Sequence, residues 1–540
     1  MCFIKKFILT LLFYLSFFNL SSGYISRFLE LPTNSLEYKI LLAPDSFPLK
    51  VSSLVASGVR ENFLSNYLNN IENYKNEILK SISGESETQK ARVIFDFMHS
   101  NILKTYGEFN NSMDVLLKTG KFNCLSSTIL YSIFLEEFGL KFKAIVLPTH
   151  VFTLLHADDR EIDVENTTPY GFDIRTNEQA QEAFRKLTGF IYTRSPDKIQ
   201  LIDKKGLLAA LYANFSFVDA KNKNYTSSFQ NALKAYAIFP EIKLVASNTM
   251  AAYIDYANFL KERKEFEKCL NILKEAMQIL PEKQIFTNMY LSILDEYLAF
   301  LVKTTNEQIP LNFVKNEQKE IELPVEIKEN LYYYIYEKNK NQKNFDKLYE
   351  IYKDGLYEIP SSTKLKELIS LSFYNVVELE VKNWTNALNN ESKVLNWFNT
   401  FQKDSKNKQI LEVYYTEIAY RFSKTNEIDR AIKIVLRGKE VIRDSKELDN
   451  FLASLYSIKA ISYVEQKDYE NALLYFNMAK KINKDDKNLL KNLRMVYRLR
   501  VYDKINEKDF KKAKIYTEEG LKEFPDDEKL LYYREYLKDK

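Results

Sequence analysis

The stretch AISYVEQKDYENALLYFNMA, residues 460–479, carries small and aromatic residues at fixed offsets. The residues at offsets 0, 3, 12, 16 and 19 are Ala460, Tyr463, Ala472, Phe476 and Ala479. Small residues let two helices approach closely, and an aromatic ring fills the space beside them. The stretch therefore predicts a pair of closely packed helices.

The same phase recurs in other parts of the chain. Matching positions in three further units are held by Ala257, Cys269, Ala276 and Pro281, by Ala419, Ala431 and Gly438, and by Ala513, Gly520 and Pro525. The units end near Pro240, Pro281, Pro360, Arg443, Lys484 and Pro525, and most neighbouring ends lie about 41 residues apart. The recurrence predicts an array of helical pairs, and a plain helical bundle is the alternative.

This pattern resembles the tetratricopeptide repeat, whose usual length is about 34 residues, so longer helices or loops are expected here. About eight units would fill Leu207 to Lys540, with Glu282 to Pro324 matching poorly. Since one unit cannot bury its apolar face alone, neighbouring units must stack into a solenoid. The resemblance implies a surface that binds a protein or peptide partner.

The composition agrees with a helical protein. Gly and Pro number 12 each in 540 residues, and sheet-rich folds need many more turns. The 77 basic and 73 acidic residues nearly cancel, whereas nucleic-acid binders usually show a basic surplus, so no nucleic-acid partner is expected. Cys2, Cys124 and Cys269 form neither a disulfide framework nor a zinc motif. No Gly-rich phosphate loop or metal cluster is visible, and we expect no cofactor.

The N-terminus has the features of an export signal. Lys5 and Lys6 precede the apolar run FILTLLFYLSFFNL, and Ser21, Ser22 and Gly23 offer small residues for cleavage before Tyr24. The run is shorter than the roughly 20 residues that a membrane span needs. We therefore expect a signal peptide over residues 1–23 and a periplasmic or secreted protein. The alternative is an uncleaved anchor, which would be the only contact with a membrane.

The segment FNCLSSTILYSIFLEEFGL, residues 122–140, places a cysteine at the start of a helix. Asn123 is a plausible N-cap, and Gly139 is a helix stop. Cys124 then lies in the first turn, where the helix dipole and unpaired amides favour a thiolate. This placement suits a nucleophile, although free cysteines are also commonly buried and inert.

Three strand-like runs follow this helix. They are FKAIVLP (142–148), THVFTLLHA (149–157) and REIDVENT (160–167). His150, one of only three histidines, opens the second run, and Asp163 lies on the third. A cysteine, a histidine and an acid can work together, because the imidazole takes the thiol proton and the carboxylate orients the ring.

The order CLSSTILYSIFLEEFGL, then LPTHVFTLL, then EIDVENT resembles the transglutaminase-like superfamily, whose core has a papain-like fold. The closest likeness is to bacterial members that carry tetratricopeptide repeats after this domain. The resemblance covers about 120 residues and implies Cys124 as nucleophile, His150 as general base and Asp163 as orienting acid. Many family members have Asp-Pro at the acid, whereas this chain has Asp163-Val164.

The strand register leaves the identity of the acid open. A two-residue turn at Asp158-Asp159 pairs Asp163 with Leu154, about 13 Å along the strand from His150. A wider loop, centred near residues 156–157, would bring Asp163 opposite His150. With the tighter turn, Glu165 or Asn166 could hold the ring instead.

The expected fold is an α+β papain-like, transglutaminase-like domain followed by an all-α tetratricopeptide-like solenoid. The expected segments are residues 1–23 (signal), 24–85 (helical and irregular), 86–205 (transglutaminase-like) and 206–540 (repeats). One hypothesis is an exported cysteine hydrolase or acyltransferase that acts on protein or peptide amides. The other is a non-catalytic repeat scaffold for protein–protein interaction in the cell envelope.

Overall fold

The computed structural model describes residues 24–82, 84, 86–189, 191–192, 199–340, 343–401 and 405–540. The predicted signal peptide lies outside these residues. The chain divides into two compact units, one ending at Leu294 and the other running from Asp295 to Lys540.

The first unit begins with a part that combines helices and strands. Its helices are α1 (Leu36–Leu42), α2 (Leu49–Ala56), α3 (Glu61–Lys80), α4 (Glu87–Phe97), α5 (Met113–Thr119), α6 (Cys124–Glu137) and α7 (Glu178–Thr188). Its strands are β1 (Thr105–Tyr106), β2 (Lys121–Phe122), β3 (Lys141–Leu147), β4 (His150–Ala157), β5 (Arg160–Val164) and β6 (Gln200–Ile202). Short helical turns lie at Pro44–Ser46, Met98–Ile102 and Ile174–Thr176.

The main sheet is antiparallel, with the strand order β5-β4-β3-β6. A two-residue turn joins β4 to β5, and its residues Asp158 and Asp159 have φ values of 48° and 60°. Positive φ at both positions is the geometry of a tight hairpin turn, and it fixes the register that pairs Leu154 with Asp163. Helix α6 packs on β3 and β4 and is buried throughout residues 125–135.

From residue 204 onward the described chain is built from pairs of helices. In the first unit these are α8 (Lys204–Lys221), α9 (Tyr225–Ile238), α10 (Lys243–Glu262), α11 (Phe266–Ile279) and the beginning of α12 (Lys283–Thr304). The helices that follow are α13 (Gln308–Glu317), α14 (Val325–Lys340), α15 (Phe345–Glu358), α16 (Thr363–Lys382), α17 (Glu391–Thr400), α18 (Ser405–Lys424), α19 (Ile428–Val441), α20 (Lys446–Glu465), α21 (Tyr469–Ile482), α22 (Lys487–Asn506), α23 (Phe510–Glu523) and α24 (Glu528–Tyr536). A short turn of helix at Ala387–Asn390 precedes α17.

These helices confirm the prediction of a tetratricopeptide-like array. In the regular pairs a 20-residue helix is followed, after a short turn, by a 14-residue helix, as in α20 and α21. The helices α18, α20 and α22 begin 41 residues apart, so longer helices account for the long repeat. The poorly matching stretch corresponds to an irregular pair, because α12 has 22 residues and α13 only 10.

The turn inside each regular pair places a non-glycine residue in the left-handed region. The residues at this position are Lys223, Lys264, Lys343, Asn426, Lys467 and Lys508. Around Lys467 the amide of Asp468 donates to the Tyr463 carbonyl and the Lys467 amide donates to the Val464 carbonyl. This pair of hydrogen bonds satisfies carbonyls that the end of the helix leaves free, which explains why the chain reverses sharply without glycine.

A small residue occupies the same position of the shorter helix in six pairs. The buried members of this set are Ala235, Ala276, Gly355, Gly438, Ala479 and Gly520. A Cβ atom added to Gly438 would lie 2.7 Å from Cγ of Tyr415, a fully buried ring on the preceding helix. Close approach of the paired helices therefore needs a small residue at this position, as the sequence pattern predicted for Ala276, Gly438, Ala479 and Gly520.

Among the described residues, only α12 is long and apolar enough to cross a membrane, with a mean hydropathy of 1.3 over its best window. Within the fold α12 is the first helix of a pair, and Phe286, Tyr290 and Leu294 on its inner face are fully buried. Of the residues in that window, 44% are buried.

Candidate active site

Cys124 is the first residue of α6, and side-chain hydrogen bonds fix the turn before it. As predicted, Asn123 caps the helix: its Oδ1 accepts from the Ser126 amide at 2.9 Å, and Ser126 Oγ accepts from the Asn123 amide at 2.9 Å. This reciprocal cap uses the Ser126 amide, so the amides of Cys124 and Leu125 have no acceptor within the helix. A half-buried thiol thus lies at the positive end of a buried helix.

His150 opens β4 and forms a close pair with Glu165. Its Nε2 lies 2.7 Å from Oε2 of Glu165, and both side chains are almost completely buried. Burial disfavours the imidazolium, but the Glu165 carboxylate and side-chain hydrogen bonds to Cys124 and Glu165 outweigh it and raise the pKa of His150. Burial likewise opposes ionisation of Glu165, but His150 and Thr167 keep its pKa below the ordinary value. The two groups therefore form a buried ion pair.

The second oxygen of Glu165 is also engaged, which holds the carboxylate in place. Oε1 accepts from the Thr167 amide at 2.9 Å and from Thr167 Oγ1 at 2.6 Å. The backbone turns sharply here, because the Glu165 amide donates to the Gly171 carbonyl at 2.9 Å. A Cβ at Gly171 would lie 1.8 Å from the Glu165 carbonyl oxygen, so only glycine fits. This turn aims Glu165 at the ring.

The structure does not bring Asp163 to His150, which corrects the role predicted for this residue. Asp163 pairs with Leu154 across the sheet, accepts a hydrogen bond from Tyr192 and lies 3.9 Å from Arg175 Nε. The two-residue turn at Asp158 and Asp159 sets this register, which is the one that the tighter of the two turns considered from the sequence would give. Glu165, one of the alternatives left open by the sequence, contacts the ring instead.

Asn166, the other alternative, lies behind the helix. Its Nδ2 donates to Thr153 Oγ1 at 2.8 Å, to the Val164 carbonyl at 3.1 Å and to Thr128 Oγ1 at 3.3 Å. These bonds join β4, β5 and α6. Asn166 therefore braces the helix that carries the cysteine against the strand that carries the histidine.

Cys124 and His150 meet at a cavity of about 400 Å³. The Cys124 side chain is close enough to contribute to the raised pKa of His150. Because Nε2 of His150 contacts Glu165, Nδ1 is the ring nitrogen that remains for the thiol. The cavity gives an incoming molecule access to the sulfur, so the thiol is neither sealed under apolar side chains nor separated from the imidazole.

One wall of this cavity comes from the helical pairs. Asn214 and Phe217 on α8 and Leu244 and Asn248 on α10 line it together with the cysteine. Sequence reasoning did not identify these residues as part of the site. Their only sequence signal is that Asn214, Phe217 and Val218 recur at the spacing of one helical face.

The other histidines lie elsewhere. His99 packs against Phe95, with 4.6 Å between ring centroids, and burial lowers its pKa to about 4. His156 lies near the turn after β4, 3.7 Å from Glu161. Within the part of the chain that the structure describes, no group of three or more His, Cys, Asp and Glu side chains is placed to hold a metal ion.

No protein-family model matches the sequence, and no curated protein matches it. The solved structures that match include two tetratricopeptide repeat proteins and a dimer of human IFIT1. The P58(IPK) TPR domain is 13% identical, covering 55% of this chain and 93% of that one, with a TM-score of 0.18. A tetratricopeptide repeat protein from Parabacteroides merdae ATCC 43184 is 12% identical, covering 53% and 98%, with a TM-score of 0.18. The human IFIT1 dimer with m7Gppp-AAAA is 13% identical, covering 86% and 94%, also with a TM-score of 0.18. Likenesses of this size carry no conclusion about function.

Proposed function

We propose that this chain is a protein-binding repeat scaffold that carries a cysteine-dependent acyl-transfer site. The observation that carries the catalytic part is the alignment of Cys124, His150 and Glu165 beside an open cavity. A buried carboxylate, a ring oriented by it and a half-exposed thiol at a helix start are the parts that an activated sulfur nucleophile requires.

The proposed reaction begins with the proton of the Cys124 thiol held on His150, as the imidazolium that pairs with Glu165. The sulfur attacks the carbonyl carbon of an amide, and the amides of Cys124 and Leu125 are donors available to the developing oxyanion. The C–N bond then breaks as the imidazolium gives its proton to the leaving amine. The acyl group of the resulting thioester then passes to water or to a primary amine. The oxygen or nitrogen of the acceptor bonds to the carbonyl carbon, the C–S bond breaks, His150 takes the proton of the acceptor, and Cys124 leaves as the thiolate.

The likeness to transglutaminase-like proteins supports the same proposal. The chain has the family's order of a cysteine on a helix, a histidine on a strand and an acid on the following segment. It departs from the family pattern in the acid, which we assign to Glu165 rather than Asp163. Thr167 holds this carboxylate at both its amide and its hydroxyl, which supports the assignment.

The repeats supply the second half of the proposal, which is recruitment of a protein or peptide. Stacked helical pairs offer an extended surface that arrays of this kind use to bind proteins. The same architecture supports a second candidate, a scaffold in which the cysteine site is silent. Both candidates share the repeat surface and differ only in whether Cys124 reacts.

Export to the periplasm or beyond remains part of the proposal and rests on the N-terminal sequence pattern. Cleavage before Tyr24 would give a mature protein that starts at this residue. N-terminal sequencing of the protein recovered from the periplasmic and medium fractions tests this directly, and recovery of the full-length chain from the membrane fraction would instead favour an anchor.

The decisive experiment for catalysis is acylation by p-nitrophenyl acetate. We expect a burst of nitrophenolate equal to the protein concentration and an acetyl thioester on Cys124, detected by peptide mass spectrometry. Cys124→Ala should abolish the burst and His150→Gln should strongly reduce it, while Cys269→Ala should leave it unchanged. Acetylation at the same rate in wild type and His150→Gln would favour the silent scaffold.

A further inference from the structure

The cavity next to Cys124 is completed by one face of a repeat helix. Its lining includes Ala210, Asn214, Phe217 and Val218, which follow the spacing i, i+4, i+7 and i+8 along α8. Leu244 on α10 extends the apolar part of the same wall. The first two helical pairs therefore present side chains to whatever occupies the space beside the thiol.

Exposed aromatic rings gather at this cavity. Tyr106, Phe109 and Phe217 all line it and remain 37%, 50% and 43% exposed. The Lys221 ammonium lies 4.9 Å from the ring centroids of both Phe109 and Phe217, so one cation contacts both rings. Apolar side chains left open beside a reactive group are typical of a ligand contact.

Charge is scarce on the inner surface. Among the described residues that line the cavity there is no lysine or arginine, Glu108 is the acidic member, and His150 is already paired with Glu165. Lys221 contacts the rings of Phe109 and Phe217 but does not itself line the cavity. A charged ligand group inside the cavity would be desolvated with only Glu108 or the paired His150 to oppose its charge. The lining thus favours a neutral ligand.

Two amide side chains of the repeat helices also reach the cavity. Asn248 Nδ2 donates to the Ala213 carbonyl at 2.9 Å, and Asn214 Nδ2 donates to Asn111 Oδ1 at 3.4 Å. Since their nitrogens are engaged, their oxygens are the atoms that can accept from a ligand. Peptide N–H groups are donors of the matching kind.

We infer that the first two helical pairs form a substrate subsite that selects a peptide acyl donor with an apolar, uncharged side chain beside the reacting carbonyl. This inference rests on the proposed function, because the subsite adjoins Cys124. Phe109, Phe217 and Leu244 contact the apolar side chain, and Asn214 and Asn248 accept from the peptide backbone. These residues are specificity-determining and take no part in the bond changes.

The test uses the full chain and four acetyl-glycyl chloromethyl ketones that differ in the last residue, whose carbonyl reacts: Phe, Gly, Lys or Glu. The second-order rate of Cys124 alkylation is measured by intact mass. The Phe probe should react at least roughly tenfold faster than the other three, which is the size of discrimination that an apolar pocket gives. Iodoacetamide, which has no side chain, serves as the reference reagent.

Substitutions of cavity-lining residues then test whether these residues cause the faster reaction of the Phe probe. Phe109→Ala and Phe217→Ala should each reduce the ratio of Phe to Gly rates at least threefold while the iodoacetamide rate stays unchanged. Phe63→Ala is the matched control, because Phe63 is also 50% exposed but lies on α3 away from the cavity lining. Leu244→Glu should slow the Phe probe most of all.

Equal rates for the four probes would overturn the subsite, as would a Phe preference that survives Phe217→Ala and Leu244→Glu in protein with a native thermal melt. The proposed function fails separately, if the iodoacetamide rate is the same in wild type and His150→Gln. A Phe preference lost in the wall variants but independent of His150 would support a peptide-binding cavity without catalysis.

Discussion

Replacing Glu165 by glutamine gives the sharpest test of the assignment of the acid. The change keeps the size of the side chain and an oxygen that can accept from His150, but it removes the charge that stabilises the imidazolium. Burial would then be opposed only by the Cys124 side chain, and the pKa of His150 should fall. Transfer of the thiol proton to the ring, which the attacking sulfur needs, becomes less favourable.

The magnitude follows from the geometry of the pair. The two atoms are 2.7 Å apart and the side chains are 2% and 0% exposed, so solvent screens their interaction very little. Removing one member of such a buried pair costs about 3–5 kcal/mol. The lower figure corresponds to a roughly 100-fold change in an equilibrium. Alkylation of Cys124 should therefore slow by at least about 100-fold.

The assay is the rate of iodoacetamide labelling of Cys124 at pH 7, followed by peptide mass spectrometry. Thr167→Val provides a graded comparison, because it removes the 2.6 Å hydrogen bond to Glu165 but keeps the charge. Loss of one hydrogen bond to a charged group costs about 1.5–3 kcal/mol, so an intermediate rate is expected. Asp163→Asn is the matched control, since it neutralises a buried carboxylate that does not contact the ring.

Labelling of Glu165→Gln at the wild-type rate, with wild-type circular dichroism, would show that Glu165 is not the acid. Asp163→Asn slowing the labelling as much as Glu165→Gln does would contradict the assignment too, because the register would then not separate the two acids. Thermal melts of all the variants distinguish a lost ion pair from a lost fold.

Three further predictions concern stability and thiol chemistry. The stability that His150 contributes through its raised pKa is fully present below about pH 6.5 and is lost as the pH rises through the pKa of the folded state, whereas the contribution of Glu165 is present above about pH 4.3 and is lost on acidification. In urea titrations, the difference in unfolding free energy between wild type and the His150→Gln, Glu165→Gln double variant should therefore be largest between these two pH values. A difference that stays constant from about pH 5 to 9 would contradict the ion pair. Gly438→Ala should lower the unfolding free energy by about 1–3 kcal/mol, because the added Cβ meets the buried Tyr415 ring, and an unchanged urea midpoint would show that the helices can separate at no cost. Cys269 is fully buried, and desolvation raises its pKa to about 12, so it should resist iodoacetamide in the native protein and react only in denaturant, as peptide mapping would reveal.

The repeat array could be predicted from the sequence because its packing rule is local. A small residue must stand wherever two paired helices cross, and the pattern around Ala460 and Ala479 repeats that requirement at a constant interval. The repeat pattern matches poorly across residues 282–324 for a structural reason, because a 22-residue helix in this stretch is followed by one of only 10 residues. Where helix lengths change, the interval changes with them.

The site was predictable as far as short-range rules reach. Asn123 as N-cap and Cys124 in the first turn follow from preferences within four residues. Choosing the acid required the hairpin register and the path of the chain after β5. The register follows from the turn at Asp158 and Asp159, but the reversal that aims Glu165 depends on Gly171, six residues later, which the sequence does not single out.

The wall that α8 contributes shows why the limits of the catalytic part could not be read from a change of sequence pattern. Helical periodicity begins after residue 205, yet α8 packs against α2, α6 and β3 of the preceding part of the chain. Gly206 lets the first turn of α8 approach Ile202 closely, because a Cβ added to Gly206 would lie 2.6 Å from the Ile202 Cβ. A helix that is buried on several sides has no single apolar face, so its amphipathic pattern is weak. The face with Asn214 and Phe217 then lines the cavity, while other faces pack against the sheet and the next helix. A change on this face of the first helical pair should therefore alter the rate at which Cys124 reacts with the Phe peptide probe, while its rate with iodoacetamide stays unchanged.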